Sequence, residues 1–269
     1  MKQLVRLVFT LPLCLSATLT SAEVISIQAS ADSIINANSP GVVSSATTDL
    51  VATKFGNSGE VSSDLRIFYA QFQLPEGLTG QDMTGVNDAQ LEITRTVAAN
   101  HRLNYYIYGV LDGVDTASAD TYSWNSGVGI DPANNQVRFL TPDEINYYRD
   151  PAEAVFVGNI RTANDEGPYA PPNQIDIHGP FDFTVEAQSP TAVANLRELI
   201  LNDTDGRLTF YGVARAPFEV HASNTFAALE HETFAPPTLV LDFVVPEPHA
   251  FLLCAVGLMA VTLAGRRQP

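Results

Sequence analysis

The stretch Ile67-Phe68-Tyr69-Ala70-Gln71-Phe72-Gln73-Leu74 decides the fold class, because its side-chain character alternates with a period of two. That period puts successive side chains on opposite faces of an extended chain, as in a strand with one covered face. Val24-Ile25-Ser26-Ile27-Gln28-Ala29 and Ala89-Gln90-Leu91-Glu92-Ile93-Thr94 repeat the pattern. Further strands are predicted over 103–110, 155–160, 175–183, 208–213 and 238–244, with clusters of Pro, Gly, Asn and Asp between them. Short strands broken by turn residues point to an all-β sandwich, not to alternating βα units.

Two segments read as short helices. Thr141-Pro142-Asp143-Glu144 is a capping box with Pro at the first helical position, leading into Ile145-Asn146-Tyr147-Tyr148. Ser189-Pro190 opens the second, where Val193, Leu196, Leu199 and Ile200 share one face before Asn202-Asp203 stops it. With no repeat, and no linker except around Val245, residues 23–245 read as one domain.

Composition sets the outer limits. The chain has 14 Lys and Arg against 30 Asp and Glu. Within 23–245 ten basic residues face 29 acidic ones, a net of −19, and Lys54 is the only lysine. Such a surface repels phosphate backbones, which argues against nucleic acid as a partner, and it suits an extracellular protein that meets divalent cations. The two cysteines, Cys14 and Cys254, lie in the terminal apolar runs. The middle therefore has no disulfide, no thiolate metal site and no cysteine nucleophile. Its core alone must hold it, which surface-to-volume scaling allows at about 220 residues.

The ends carry addresses. Lys2 and Arg6 precede the apolar stretch Leu7 to Leu19 and the small residues Thr20-Ser21-Ala22. This is the layout of a cleaved signal peptide over 1–22; Pro12 and the basic flank argue against a buried first helix. Leu13 before Cys14 is too bulky for a usual lipoprotein cleavage box. At the other end, Val245-Pro246-Glu247-Pro248 leads to an apolar run from Ala250 to Ala264 and then Gly265-Arg266-Arg267. Read physically, 246–269 is a stop-transfer tail with a transmembrane helix, short of the ~20 residues of a full span. Its arginines stay on the cytoplasmic side and the domain outside the inner membrane.

The combination of Pro246, Glu247, Pro248, a short hydrophobic helix and the pair Arg266, Arg267 resembles the PEP-CTERM sorting signal. Such signals occur in Gram-negative bacteria that form biofilms and secrete polysaccharide. The resemblance implies recognition by an exosortase-type membrane protease and delivery to the cell envelope or extracellular matrix, with a plain single-pass anchor as the alternative. The middle is similar to DNRLRE-type domains, jelly-roll sandwiches related to carbohydrate-binding module family 96. The matching positions run in order from Asp32 through Phe72, Leu74 and Pro75, then Ala89, Leu91 and Ile93. Next come Ser123, Trp124 and Asn125, then Asp182 and Thr184, and last Pro237, Leu239 and Leu241. The namesake segment stands as Asp64-Leu65-Arg66-Ile67, and the insertion Gly127 to Tyr169 exceeds what the pattern needs. This resemblance implies a wall- or polysaccharide-associated module rather than a reaction.

Candidate chemistry is sparse. His101, His178, His221 and His231 have no metal-ligand or triad spacing, and no Gly-x-Ser-x-Gly elbow or phosphate loop is present. Glu230-His231-Glu232 reads as a solvated loop or as a small acid–base trio. Trp124, the only tryptophan, and Tyr106 and Tyr108 are candidates for stacking on a sugar face, against the alternative that they anchor the core. Structural Ca²⁺ is the one cofactor the residues suggest, since hard cations take carboxylate and carbonyl oxygens. Asp112-Gly113-Val114-Asp115 and Asn202-Asp203-Thr204-Asp205-Gly206 gather oxygens at Gly turns, with Asp203 and Asp205 as candidate ligands. Asp32 and Asp242 would join such a set if the first and last strands pair. The expected role is a non-catalytic structural or polysaccharide-associated one. A polysaccharide lyase or hydrolase, or a protein-binding scaffold, are the alternatives.

Overall fold

The computed structural model describes residues 20–43, 49–55, 65–94, 96, 104–133, 148–161, 175–177, 190–215 and 221–246. The helix predicted from Thr141, all but the end of the signal peptide, and the tail beyond Pro246 lie outside these residues. So do His101 and His178 and most of the strand expected over 175–183. Ala22–Val245 forms one compact unit.

Ten antiparallel strands are described: β1 (Thr20–Asn36), β2 (Asp49–Phe55), β3 (Arg66–Gln73), β4 (Gly85–Thr94), β5 (Asn104–Val110), β6 (Ala154–Arg161), β7 (Ile175–Ile177), β8 (Arg207–Arg215), β9 (His221–Ala227) and β10 (Thr238–Pro246). They run in the order β6-β5-β8-β3-β1-β10-β4-β7, with β2 joined to β3 and β9 to β2. β1 links the two halves. Beyond a bulge between Ala29 and Ala31 it pairs with β3, and at Ala29 its N–H donates to the carbonyl of Pro237 at 2.8 Å, at the mouth of β10. A bulge bends a strand, and this one turns the chain from one layer into the other.

β2 and β9 were not anticipated, and they pair with each other from Asp49↔Ala227 to Phe55↔His221. Their sequences, Asp-Leu-Val-Ala-Thr-Lys-Phe and His-Ala-Ser-Asn-Thr-Phe-Ala, mix polar and small residues and carry little strand signal. β2 reaches β3 at Thr53↔Arg66, just past the last β8 pair at Phe68↔Gly212.

The strand that decided the fold class differs from its expected pattern. Ile67 to Phe72 are all buried, so β3 has no solvent face. The reason is a core on each side. On one side Phe68, Ala70 and Phe72 pack with Leu208 and Phe210 of β8, Leu91 and Ile93 of β4, and Leu239 and Leu241 of β10. On the other, Ile67 and Tyr69 pack with Tyr106 and Tyr108 of β5, Tyr211 of β8, and Tyr122, Trp124, Ile130 and Tyr148. The last four come from the segment between β5 and β6, which folds back over the sheet that its own flanking strands belong to. Burying each large side chain contributes about 1.5–3 kcal/mol, set against the entropy of ordering so long a connection.

Hydrogen bonds hold that cover down. Tyr69 Oη donates to the carbonyl of Val128 at 2.8 Å and Tyr211 Oη to that of Gly129 at 2.7 Å. Gly129 N donates to Glu153 Oε2 at 2.8 Å. Gly129 has φ of +77°, which a side chain would strain, and a Cβ there would press on Ala154 and Tyr211.

The single described α-helix, α1 (Pro190–Leu201), starts at the predicted proline and buries Ala192, Leu196, Leu199 and Ile200. Val193, expected on the same stripe, is half-buried at its margin. The helix seals one end of the first core. Gly80, in a 3₁₀ turn (Gly80–Asp82), lies so close to the carbonyl of Ile200 that no side chain fits there. Among the described residues no helix is long and apolar enough to cross a membrane.

Candidate functional site

The two Gly turns singled out in the sequence come together at the end of α1. Thr204 N and Oγ1 donate to Asp112 Oδ1 and Oδ2 at 3.2 and 2.8 Å, tying the turn after β5 to the turn before β8. Asp112, Asp203 and Asp205 each offer a carboxylate oxygen within 4.8 Å of the others. That is the charge a hard cation such as Ca²⁺ seeks. The buried member, however, is committed to backbone. Asp203 Oδ2 accepts from Gly80 N at 3.1 Å and Gly206 N at 3.0 Å, and Oδ1 from Arg207 N at 3.0 Å. Three N–H donors favour its charged form, yet burial outweighs them and pushes its pKa up to about 6. Asp203 is thus a staple between three segments, with Asp112 and Asp205 as the carboxylates left toward solvent.

A second network lies beside it. Arg207 Nη1 donates to the carbonyl of Asp115 at 2.8 Å, and Thr209 Oγ1 to Asp115 Oδ2 at 2.7 Å. Gln71 Nε2 donates to Thr209 Oγ1 at 2.9 Å, while its Oε1 accepts from Ala119 N at 3.3 Å. Asp115 is buried, its Oδ1 has no partner among the described residues, and burial raises its pKa against the Thr209 hydroxyl.

Asp32 and Asp242 each engage a different partner. Asp32 is buried on β1, where Oδ2 accepts from Leu229 N at 2.6 Å and Oδ1 has no partner among the described residues. Burial lifts its pKa to about 6, opposed by the Leu229 bond and aided by the charges of Glu230 and Asp120. Asp242 sits on β10 and accepts from Asn87 Nδ2 on β4 at 2.9 Å. β1 and β10 are neighbours in the sheet, but each aspartate has a partner of its own and neither belongs to the carboxylate group at Asp112.

The candidate stacking rings are interior. Trp124 is 8% exposed and packs edge-on against Tyr148, and Tyr106 and Tyr108 are buried with their edges to Phe156. A ring in that setting presents no face to a sugar. They fill the second core, whose existence the period-two reading had not foreseen. The Glu230-His231-Glu232 trio also resolves. His231 Nδ1 accepts from Thr233 N and Phe234 N at 3.1 and 3.0 Å, and Nε2 stands 3.8 Å from Asp49 Oδ1, while both glutamates are exposed. The imidazole closes its own turn. Pro246 is the exposed end of β10, and the rest of the predicted sorting signal lies outside the described residues.

One concave feature adjoins the two joined turns. A cleft of about 90 Å³ is lined by Leu111, Asp112, Val155, Asn195, Glu198, Leu199 and Asn202. Asn195 and Glu198 had drawn no attention in the sequence, where they are ordinary polar residues on the outer face of a helix. Their only signal was that the last turn of α1 lacks a basic residue. No protein-family model matches the chain, and no curated protein matches it.

Proposed function

We propose that this chain is an exported, non-catalytic module of jelly-roll type that serves a structural or polysaccharide-associated role in the cell envelope or extracellular matrix. One observation carries the reading: an acidic, cysteine-free domain stands between a signal-peptide-like leader and the pattern Pro246-Glu247-Pro248, apolar run, Arg266-Arg267. The leader exports, the tail holds the exported chain at the membrane, and an exosortase-type protease acts on it there. Support from the domain is architectural. Central strands β3, β5 and β8 buried on both faces, with tyrosines, Gln71 and two aspartates engaged in packing and backbone bonds, are built for rigidity. Fold-level support of this kind speaks to scaffold rather than chemistry.

The test has two parts. Full-length chain and a variant with Arg266 and Arg267 replaced by alanine are expressed in an exosortase-bearing bacterium and followed through membrane and extracellular fractions. The variant is expected to stay in the membrane unprocessed. Purified protein is then exposed to insoluble and soluble polysaccharides, with calcium or with EDTA. Retention without release of reducing ends or unsaturated products supports the module reading. Product release makes it a hydrolase or lyase, and failure to bind any polymer leaves a protein-binding scaffold.

A further inference from the structure

The cleft beside α1 has a chemical bias that its size and lining define. Its polar lining is Asp112, Asn195, Glu198 and Asn202, and no Lys, Arg or His lines it. Two of these are carboxylates, which only accept when ionised. Asn195 has already spent Nδ2 on the carbonyl of Phe156 at 2.9 Å, so what it has left to offer is mainly its oxygen. The cleft also lies at the C-terminal end of α1, where the helix dipole concentrates partial negative charge. No basic residue in the last turn offsets that charge, and Arg197 points instead to the carbonyl of Val86 at 3.2 Å. Asp205, close to Asp112, deepens the potential, as does a domain net charge of −19. Anionic groups such as uronates and sulfates are thereby excluded.

The floor refines the choice. Leu111, Val155 and Leu199 are apolar, which suits a cation borne on carbon better than a bare metal ion. A volume of about 90 Å³ has room for several waters, and so for an ammonium and the carbons that carry it. We propose that this cleft receives the protonated amino group of an amino-sugar residue in an extracellular polysaccharide. The ammonium donates to Glu198 and Asp112 at the end of α1, its carbon skeleton rests on Leu111, Val155 and Leu199, and Asn195 and Asn202 meet neighbouring hydroxyls. The inference rests on the polysaccharide-associated reading above and names the polymer class: one with free amines, neither acidic nor fully N-acetylated.

The experiment uses the full chain in neutral detergent and glucosamine oligomers of one length, de-N-acetylated or fully N-acetylated, in mildly acidic buffer. The de-N-acetylated oligomer is expected to bind at least about tenfold tighter, the worth of one charge-assisted hydrogen bond. Glu198 is exposed on the helix, so Glu198→Gln and Glu198→Lys leave the fold intact, as circular dichroism checks. Glu198→Gln should lose most of that preference, and Glu198→Lys all of it. Equal binding of the two oligomers, or a preference that survives Glu198→Lys, overturns the proposal. Retention on other polysaccharides in that case leaves the polysaccharide-associated reading standing, whereas retention on none removes that reading too and leaves a structural or protein-binding role. Butylamine or a lysine peptide binding as tightly as the sugar amine also overturns it, and reassigns the cleft to a protein partner's lysine.

Discussion

Replacing Asp203 with alanine tests whether one buried carboxylate staples the end of α1 to β8 and to the Gly80 turn. The substitution strands the buried N–H groups of Gly80 and Gly206, while Arg207 N keeps Asp205 Oδ1 as an acceptor at 2.9 Å. An orphaned buried donor costs about 1–3 kcal/mol, so the gross loss for the two is about 2–6 kcal/mol. Part of it is returned, because the wild type at pH 7.5 holds a charge that burial disfavours. Its pKa stands at about 6 in the fold against 3.8 for the free side chain, an imbalance worth about 3 kcal/mol. The net effect at pH 7.5 therefore lies between a gain of about 1 and a loss of about 3 kcal/mol. The sign of the pH dependence is then fixed. A raised carboxylate contributes stability that is fully present below pH 3.8 and is lost as pH rises through about 6. Wild type regains its share on acidification and the alanine variant cannot, so the gap should widen to about 2–6 kcal/mol near pH 4. Urea unfolding of Ala22–Val245, followed by circular dichroism at both pH values, measures it. Asp32 and Asp115 titrate alike in both proteins and cancel in the difference. A gap that narrows on acidification, or stays within about 0.5 kcal/mol of zero at both pH values, refutes the staple.

Asp32→Asn keeps an acceptor for Leu229 N and removes a charge whose other oxygen is bare. It should raise Tm at pH 7.5 and bring no gain below pH 3.8, as thermal melts at the two pH values will show. Gly212→Ala drives a methyl into the ring of Phe68, its register partner on β3; a loss of about 1–3 kcal/mol in urea midpoint analysis is expected. Tyr69→Phe removes the bond to the Val128 carbonyl and should cost about 1 kcal/mol while speeding proteolysis of the β5–β6 cover. Trp124→Phe should lower stability yet leave polysaccharide retention unchanged, because the ring is interior.

The all-β class, α1 and eight of the ten described strands were legible because each rests on a local pattern. Alternation in 67–74 and 89–94 and the proline start of α1 need no knowledge of the rest of the chain. β2 and β9 were illegible for the converse reason: each is specified by its partner, and His221-Ala222-Ser223-Asn224 alone could be any polar loop. The second core was hidden by Gln71 and the tyrosines, amphipathic residues that read as a wet face. Gln71 is buried because Thr209, Ala117 and Ala119 satisfy its amide, and Tyr69 and Tyr211 because carbonyls of the cover accept their hydroxyls. Tyr106, Tyr108 and Trp124, open in the sequence between stacking on a sugar and anchoring the core, belong to that same core. The oxygen-rich turns at Asp112 and Asp203 were seen separately, and only the fold shows that Thr204 joins them. The cleft was invisible, since Asn195 and Glu198 gain meaning from what lies across from them.

The way the cover meets the sheet has an optical consequence. Tyr108, Tyr211, Tyr69 and Tyr122 form a continuous file of rings with centroids 5.0, 5.3 and 5.1 Å apart, crossing from β5 through β8 and β3 into the cover. The chain's lone indole, Trp124, belongs to the same cover and touches Tyr148. Light absorbed by the sheet tyrosines Tyr69, Tyr108 and Tyr211 reaches the indole more efficiently while the cover is seated, whereas Tyr122 and Tyr148 travel with the indole. The protein therefore carries a built-in donor–acceptor pair that reports the state of one layer separately from the rest, with no label added.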